Sequence, residues 1–335
     1  MNGARESKAL IIAGYGGHSG YAFAIIHELL QLGFKKSLVL VAEGYGFLVE
    51  KFKPYGEVVV QALPRRPGEP LYRGVHRWFK AFNQSLKLLM KHKVTAVFAS
   101  GSNFSLPPSI ASRIVSRAKL YTVEAIERFT KPSKAVKILG KIGATVFLHW
   151  EEQLEMYPKG VVVGPVYEPP LYEPRDEGYA LVTTGTLGYK ELFDAVERLG
   201  LERVVLQTGD VNPEPYINRN PRWIAFKYTS DIHRWIAGAS LVITQQGLTA
   251  AISRLAYGKP TIIVWNPRVS LGAVKNDVRI YAEKLEAPFI DEVELHALKK
   301  AMDSVKSARK AFSNGSRKIA ETMLKQITNA WFSPK

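Results

Sequence analysis

The sequence predicts an α/β protein made of two doubly wound parallel sheets. Three observations carry that prediction. Short β-branched runs alternate with amphipathic stretches along nearly all of the chain, the alternation stops once in a proline-rich acidic segment, and it then restarts. A chain of 335 residues also exceeds what one hydrophobic core usually organises, and suits two domains.

In the first half the strand candidates are ALIIAG (9–14), SLVLVA (37–42), EVVVQ (57–61), VTAVFAS (94–100), KLYTVE (119–124) and ATVFLH (144–149). Helical patterns over 19–32, 46–53 and 72–92 separate the earlier ones. Residues 164–178, GPVYEPPLYEPRDEG, carry four prolines among acidic residues and show no periodicity, which reads as a linker. Strand candidates resume with YALVTTG (179–185), RVVLQTG (203–209), RWIAF (222–226), SLVITQQG (240–247) and PTIIVWN (260–266). A terminal pattern near 292–330 reads as one or two helices. The domains are accordingly 1–165, a linker 166–178 and 179–335, with the last helix a candidate to return to the first domain.

Composition narrows the class. Hydrophobic residues at 46% and charged residues at 23% describe an ordinary globular chain. The absence of cysteine excludes disulfides, thiolate metal sites and a cysteine nucleophile. No apolar run of about 18 residues appears and no secretory leader pattern is visible, so the expected location is cytoplasmic. The net charge of +16 is concentrated: residues 51–150 hold 18 Lys or Arg against 4 Asp or Glu, a net of +14. Such a field calls for an anionic partner, whether nucleic acid, acidic metabolite or anionic bilayer.

The first strand candidate runs into Gly14, Gly16, Gly17 and Gly20, with His18 among them. Glycines between a strand and a helix let main-chain amides approach a phosphate or sugar without Cβ obstruction. A dinucleotide fingerprint needs a third glycine where Ser19 stands, although Glu43 falls where an acid would hold a ribose. His18 is read as a loop residue whose imidazole suits proton abstraction from a hydroxyl. Two further glycine turns follow strands in the second half. TTGTLG offers Thr184, Gly185 and Thr186, and QQGLTAA offers Gln246, Gly247, Leu248 and Thr249 as pyrophosphate partners.

Residues 72–91 divide by helical period into an apolar face (Val75, Trp78, Phe79, Phe82, Leu86, Leu89) and a basic one (Arg73, Arg77, Lys80, Lys87, Lys91). With Arg65 and Arg66 just upstream, the segment reads both as a sheet-covering helix and as a basic rim for phospholipid headgroups. The aromatics lie on the face opposite the cations, which argues against a nucleic-acid stacking platform.

These motifs resemble a known transferase over residues 8–300. AGYGGHSG, LPRR (63–66), SGSNFSLPPSI (100–110), VEAIER (123–128) and FLHWEEQLEMYPKG (147–160) resemble the membrane-associated subunit of the eukaryotic enzyme that adds the second N-acetylglucosamine to dolichol-linked oligosaccharide. VTTGTLGYKELFDAV (182–196) and the stretch 228–266 resemble its catalytic subunit. The resemblance implies a single-chain fusion needing no separate catalytic subunit, with a GT-B fold similar also to MurG and an interdomain cleft. It implies an inverting, metal-independent transfer from a nucleotide-diphosphate sugar as co-substrate, UDP-linked in this family, with no cofactor. The acceptor would be lipid-linked and the enzyme a peripheral membrane protein. By the same analogy His18 is the catalytic base or an acceptor-site residue, and Glu124, a second catalytic candidate, lines the cleft with Arg128 from the first domain; Gly16 and Gly17 line the His18 loop, and from the basic segment Arg65, Arg66, Arg73, Arg77 and Trp78 are expected to face membrane or acceptor.

The chain departs from the family pattern at three places. Ser253 stands where a glutamate holds the donor ribose, Gln245 replaces a histidine, and Val278 follows Asn276 and Asp277 where a glutamine is expected. A serine lacks the charged, two-oxygen grip on a diol, which leaves nucleoside and sugar open. Asn276 and Asp277 are candidates for sugar hydroxyls or for a plain helix start. The alternatives are a nucleotide-sugar epimerase or dinucleotide enzyme on the same frame, and a basic binding protein without a reaction.

Overall fold

The computed structural model describes residues 7–65, 69, 74–269, 273–307 and 312–332. The chain divides into two compact units. The first contains residues up to Glu124, Pro132–Val166 and the stretch from Asn314 onward; the second contains Ala125–Lys131 and Tyr167–Ser313.

Among the described residues the first unit holds a seven-stranded parallel sheet in the order β3-β2-β1-β4-β5-β6-β7. The strands are β1 (Lys8–Gly14), β2 (Ser37–Ala42), β3 (Glu57–Gln61), β4 (Val94–Ala99), β5 (Lys119–Val123), β6 (Thr145–Leu148) and β7 (Val161–Val162). Helices α1 (His18–Gln31), α2 (Gly46–Phe52), α3 (Val75–Lys91), α4 (Leu106–Val115) and α5 (Lys134–Lys141) connect them. Central strands β1 and β2 are apolar on both faces because helices cover both sides, and residues 9–13 and 37–42 are buried without a break.

The second unit holds a six-stranded parallel sheet ordered β10-β9-β8-β11-β12-β13 among the described residues. Its strands are β8 (Ala180–Thr183), β9 (Val204–Gln207), β10 (Ile224–Phe226), β11 (Leu241–Gln245), β12 (Thr261–Val264) and β13 (Phe289–Ile290). Helices α6 (Lys190–Arg198), α7 (Glu214–Arg219), α8 (Ile232–Gly238), α9 (Leu248–Ala251), α10 (Lys275–Lys284) and α11 (Leu295–Ser304) belong here, and a π-helical turn, Ile252–Ala256, continues α9. The doubly wound α/β class is that expected from the sequence. The two-residue edge strands β7 and β13 were not expected, since two residues carry no readable alternation.

The terminal pattern resolves into α11 and α12 (Ser316–Phe332), which fall in different units. α12 packs on α1 and β4, burying Ile319, Ala320, Met323 and Ile327, with Arg317 beside Glu28 at 3.4 Å. A second departure is Ala125–Lys131, which leaves the first half of the chain to join the second unit.

The α3 faces differ from the expected split. Ala81, Ser85 and Leu89 are buried and Trp78, Phe82 and Leu86 pack against the core, whereas Val75 is 50% and Phe79 65% exposed. The inward arc centres on the 78–82–85–89 row, and Val75 and Phe79 fall just beyond its edge. Arg77 is turned toward the Glu69 carboxylate rather than standing as an unpaired surface cation. Arg66 and Arg73 lie outside the described residues. Among the described residues no helix is long and apolar enough to cross a membrane.

Candidate functional site

In a doubly wound sheet, loops at the carboxyl ends of two strands diverge where the strand order reverses, leaving a crevice for a ligand. In the first unit that point lies between β1 and β4. Gly14 ends β1 at φ +68°, and a Cβ there would stand 3.0 Å from Ser102 Oγ. Gly16 has φ +58°, and both Gly16 and Gly17 border open space.

His18 is the first residue of α1, not a mid-loop residue, and Gly17 caps that helix. Its Nδ1 lies 2.8 Å from the Ser100 carbonyl just past β4. A carbonyl oxygen only accepts, so Nδ1 carries a proton, and in the neutral ring Nε2 carries the lone pair. Ser100 is itself fixed, being fully buried with its hydroxyl donating to Ala13 O at 3.2 Å. Gly101, at φ +88°, allows this approach, for a Cβ there would meet the Val123 carbonyl at 2.9 Å. The imidazole is thereby held in the tautomer that accepts a proton.

Glu124 has a different situation from the one expected of a cleft residue. It is fully buried, and its Oε2 accepts from Ser133 N at 2.9 Å and Tyr157 Oη at 2.6 Å. Its carbonyl accepts from His149 Nε2 at 2.7 Å, while His149 Nδ1 accepts from Val166 N at 3.0 Å. Burial holds His149 neutral and lowers its pKa from 6.5 to about 4. Glu124 and His149 therefore tie the ends of β5 and β6 to the start of the linker. Arg128, expected on the first domain, sits in the second unit and donates to Lys131 O at 2.9 Å.

In the second unit the order reverses between β8 and β11. The turn after β8 is clamped onto the loop after β9. Thr186 O accepts from Asp210 N at 3.0 Å and Tyr228 Oη at 3.1 Å. Gly188, at φ +71°, would press a Cβ to 2.3 Å from Thr208 O, and Gly209 would press one to 2.6 Å from Gly185 O and Thr186 O. Only glycine permits that packing. Thr184 is fully buried with no partner for its hydroxyl.

Beyond β11, the Gln246 side chain bonds both main-chain groups of Asn266 at 2.9 Å. Gly247, at φ +126°, borders open space, and its carbonyl accepts from Tyr281 Oη at 2.9 Å. Leu248 is buried at the start of α9 and Thr249 is half-buried. Ser253, on the π-helical turn, is fully buried with an unpartnered Oγ, so it is withdrawn from the surface a ribose would touch. Asn276 is exposed. Asp277 is buried and its Oδ2 accepts from Phe129 N at 3.1 Å and Thr130 N at 3.3 Å, so it holds the 125–131 segment rather than facing solvent. Glu43, considered for a dinucleotide ribose, is exposed and lies 3.7 Å from Lys80.

Residues 179–329 match the glycosyltransferase family 28 C-terminal domain. Over 96% of the chain and 95% of the relative, the sequence is 25% identical to the UDP-N-acetylglucosamine–N-acetylmuramyl-(pentapeptide) pyrophosphoryl-undecaprenol N-acetylglucosamine transferase of Caldicellulosiruptor saccharolyticus. The chain carries a glycosyltransferase family 28 C-terminal domain and is similar to MurG-type transferases along its length. This glycosyltransferase superposes on Acinetobacter baumannii MurG with a TM-score of 0.62 at 17% identity, covering 96% of this chain and 99% of the other. A putative UDP-N-acetylglucosamine 2-epimerase from Listeria monocytogenes scores 0.61 at 15% identity, covering 99% of each chain. Both likenesses establish the GT-B fold, and the relative matched along the length of the chain is a transferase.

The positions that sequence reasoning missed are Asn266 and Ser100. Asn266 left a signal, an amide directly after the apolar run of β12; Ser100 acts through its carbonyl, which no residue type reveals.

Proposed function

We propose that the protein transfers N-acetylglucosamine, with inversion, from UDP-N-acetylglucosamine to a sugar hydroxyl on a polyprenyl- or dolichyl-diphosphate acceptor at the cytoplasmic membrane face. The match to transferases of undecaprenyl-linked acceptors supports donor and acceptor class. The observation that carries the chemistry is the His18 tautomer fixed by Ser100. Nε2 takes the acceptor hydroxyl proton, the hydroxyl oxygen bonds to the anomeric carbon, and the bond from that carbon to the diphosphate oxygen breaks with its electrons leaving on UDP. Main-chain amides of the 184–188 turn stabilise the departing charge. No metal or cofactor takes part in this scheme. The dolichol-type single-chain fusion is the eukaryotic version of the same reading, and MurG-type acceptors are the bacterial one.

The membrane-facing surface in this proposal is made by the exposed apolar side chains on neighbouring helices α3 and α4: Phe79 and Ile114, each 65% exposed, with Val75 and Ile110. The experiment is a transfer assay with labelled UDP-N-acetylglucosamine and polyprenyl-diphosphate acceptors, one embedded in anionic vesicles and one short-chain and water-soluble. Acceptor-dependent glycosylation is expected in both arms. The double change Phe79→Ser, Ile114→Ser lowers only the vesicle arm. Conversion of donor without acceptor would instead establish an epimerase, and equal loss in both arms would remove the membrane assignment.

A further inference from the structure

The turn after β8 and the end of β11 are neighbours because those strands pair at the reversal point of the second sheet. Gln245 is the last residue of β11, and a series of hydrogen bonds decides which end of its amide points outward. Fully buried Asn266 has its main-chain N–H and C=O taken by the Gln246 side chain. Its Oδ1 accepts from Arg268 N at 3.0 Å, so the other end of its amide is the donor. That Nδ2 donates to Gln245 at 2.6 Å, and the atom receiving it must be Oε1. Nε2 is left as the outward end, and it stands 3.2 Å from where a methyl group on Gly185 would project. Among the described residues no protein acceptor bonds Gln245 Nε2.

We infer that Gln245 is a specificity-determining residue whose Nε2 donates to a non-bridging oxygen of a nucleoside diphosphate lying across the 184–188 turn, and that Asn266 is the positioning residue that aims it. The inference rests on the reading of that turn as the donor's diphosphate site. A carboxamide donor is uncharged, so this contact favours the diphosphate without titrating near neutral pH. A carboxylate of the same shape would still satisfy Asn266, yet would present an oxygen to the diphosphate and repel it.

Calorimetric titration of the full-length protein with UDP and with uridine tests the assignment. Gln245→Leu weakens UDP binding about tenfold and Gln245→Glu roughly a hundredfold, the span expected for one hydrogen bond to a charged group, while uridine binding is unchanged. Asn266→Asp turns the Gln245 amide round and costs as much as Gln245→Leu, and the two changes together cost no more than either alone. A merely structural Asn266 would give additive losses and overturn its positioning role. UDP affinities within twofold of the parent in both Gln245 variants, or equal losses for UDP and uridine, overturn the inference while leaving the donor site intact. A parent protein that binds no nucleoside diphosphate removes both that reading and the inference.

Discussion

The two reversal points, one in each sheet, solve opposite problems with similar backbone. At β1/β4 the side chain brought forward is ionisable, and a main-chain carbonyl fixes the tautomer of its neutral form. At β8/β11 the residues identified are neutral, glycine turns and the paired carboxamides of Gln245, Gln246 and Asn266. In the proposed reaction, proton abstraction and stabilisation of leaving-group charge fall to different sheets. That separation makes each function removable on its own.

The largest effect should come from His18→Asn, which keeps a donor toward Ser100 but supplies no basic nitrogen. Turnover falls about a thousandfold, within the usual worth of a general base, and UDP affinity stays within twofold. Retained turnover would mean that the first reversal point does not provide the base. Next is Gly188→Ala, which forces a left-handed backbone and a clash with Thr208 O at 2.3 Å onto a residue with a Cβ. It lowers stability by roughly 3 kcal/mol and weakens UDP more than it changes acceptor KM. Equal damage to donor and acceptor parameters would blur the division between the sheets.

The smallest effect concerns acid. His149 is held neutral with its pKa lowered from 6.5 to about 4, so the unfolded chain takes up the proton first as pH falls. Its stabilisation is complete above pH 6.5 and is lost progressively toward pH 4, by about 3 kcal/mol at most. Urea midpoints between pH 7 and 5 should therefore fall more steeply for the parent than for His149→Gln. Parallel slopes would show that burial does not hold the ring neutral.

The strand run was readable because parallel strands covered on both faces are continuous apolar stretches. The glycine turns were readable for a related reason, since Gly188 and Gly209 are demanded by local geometry. What stayed hidden was long-range or main-chain. Ser100 acts through a carbonyl, Asn266 through partners at the end of the neighbouring strand, and Asp277 through amides of a segment nearly half the chain away. The α3 error had a different origin, because helical period defines a stripe but not where the neighbouring sheet and α4 cut its edges. Ser253, the departure that left the nucleoside unnamed, proved to be inward-facing, so its loss of charge does not by itself describe the ribose pocket.

Helix α12 is encoded after the whole second unit yet completes the first, inserting Ile319, Ala320, Met323 and Ile327 beside α1 and β4. During synthesis the earlier sheet must therefore wait, its groove uncovered, while the later one is made and can fold. Chaperone dependence should peak in that interval, and cutting the gene between the two sheets should yield an aggregating fragment rather than a working half.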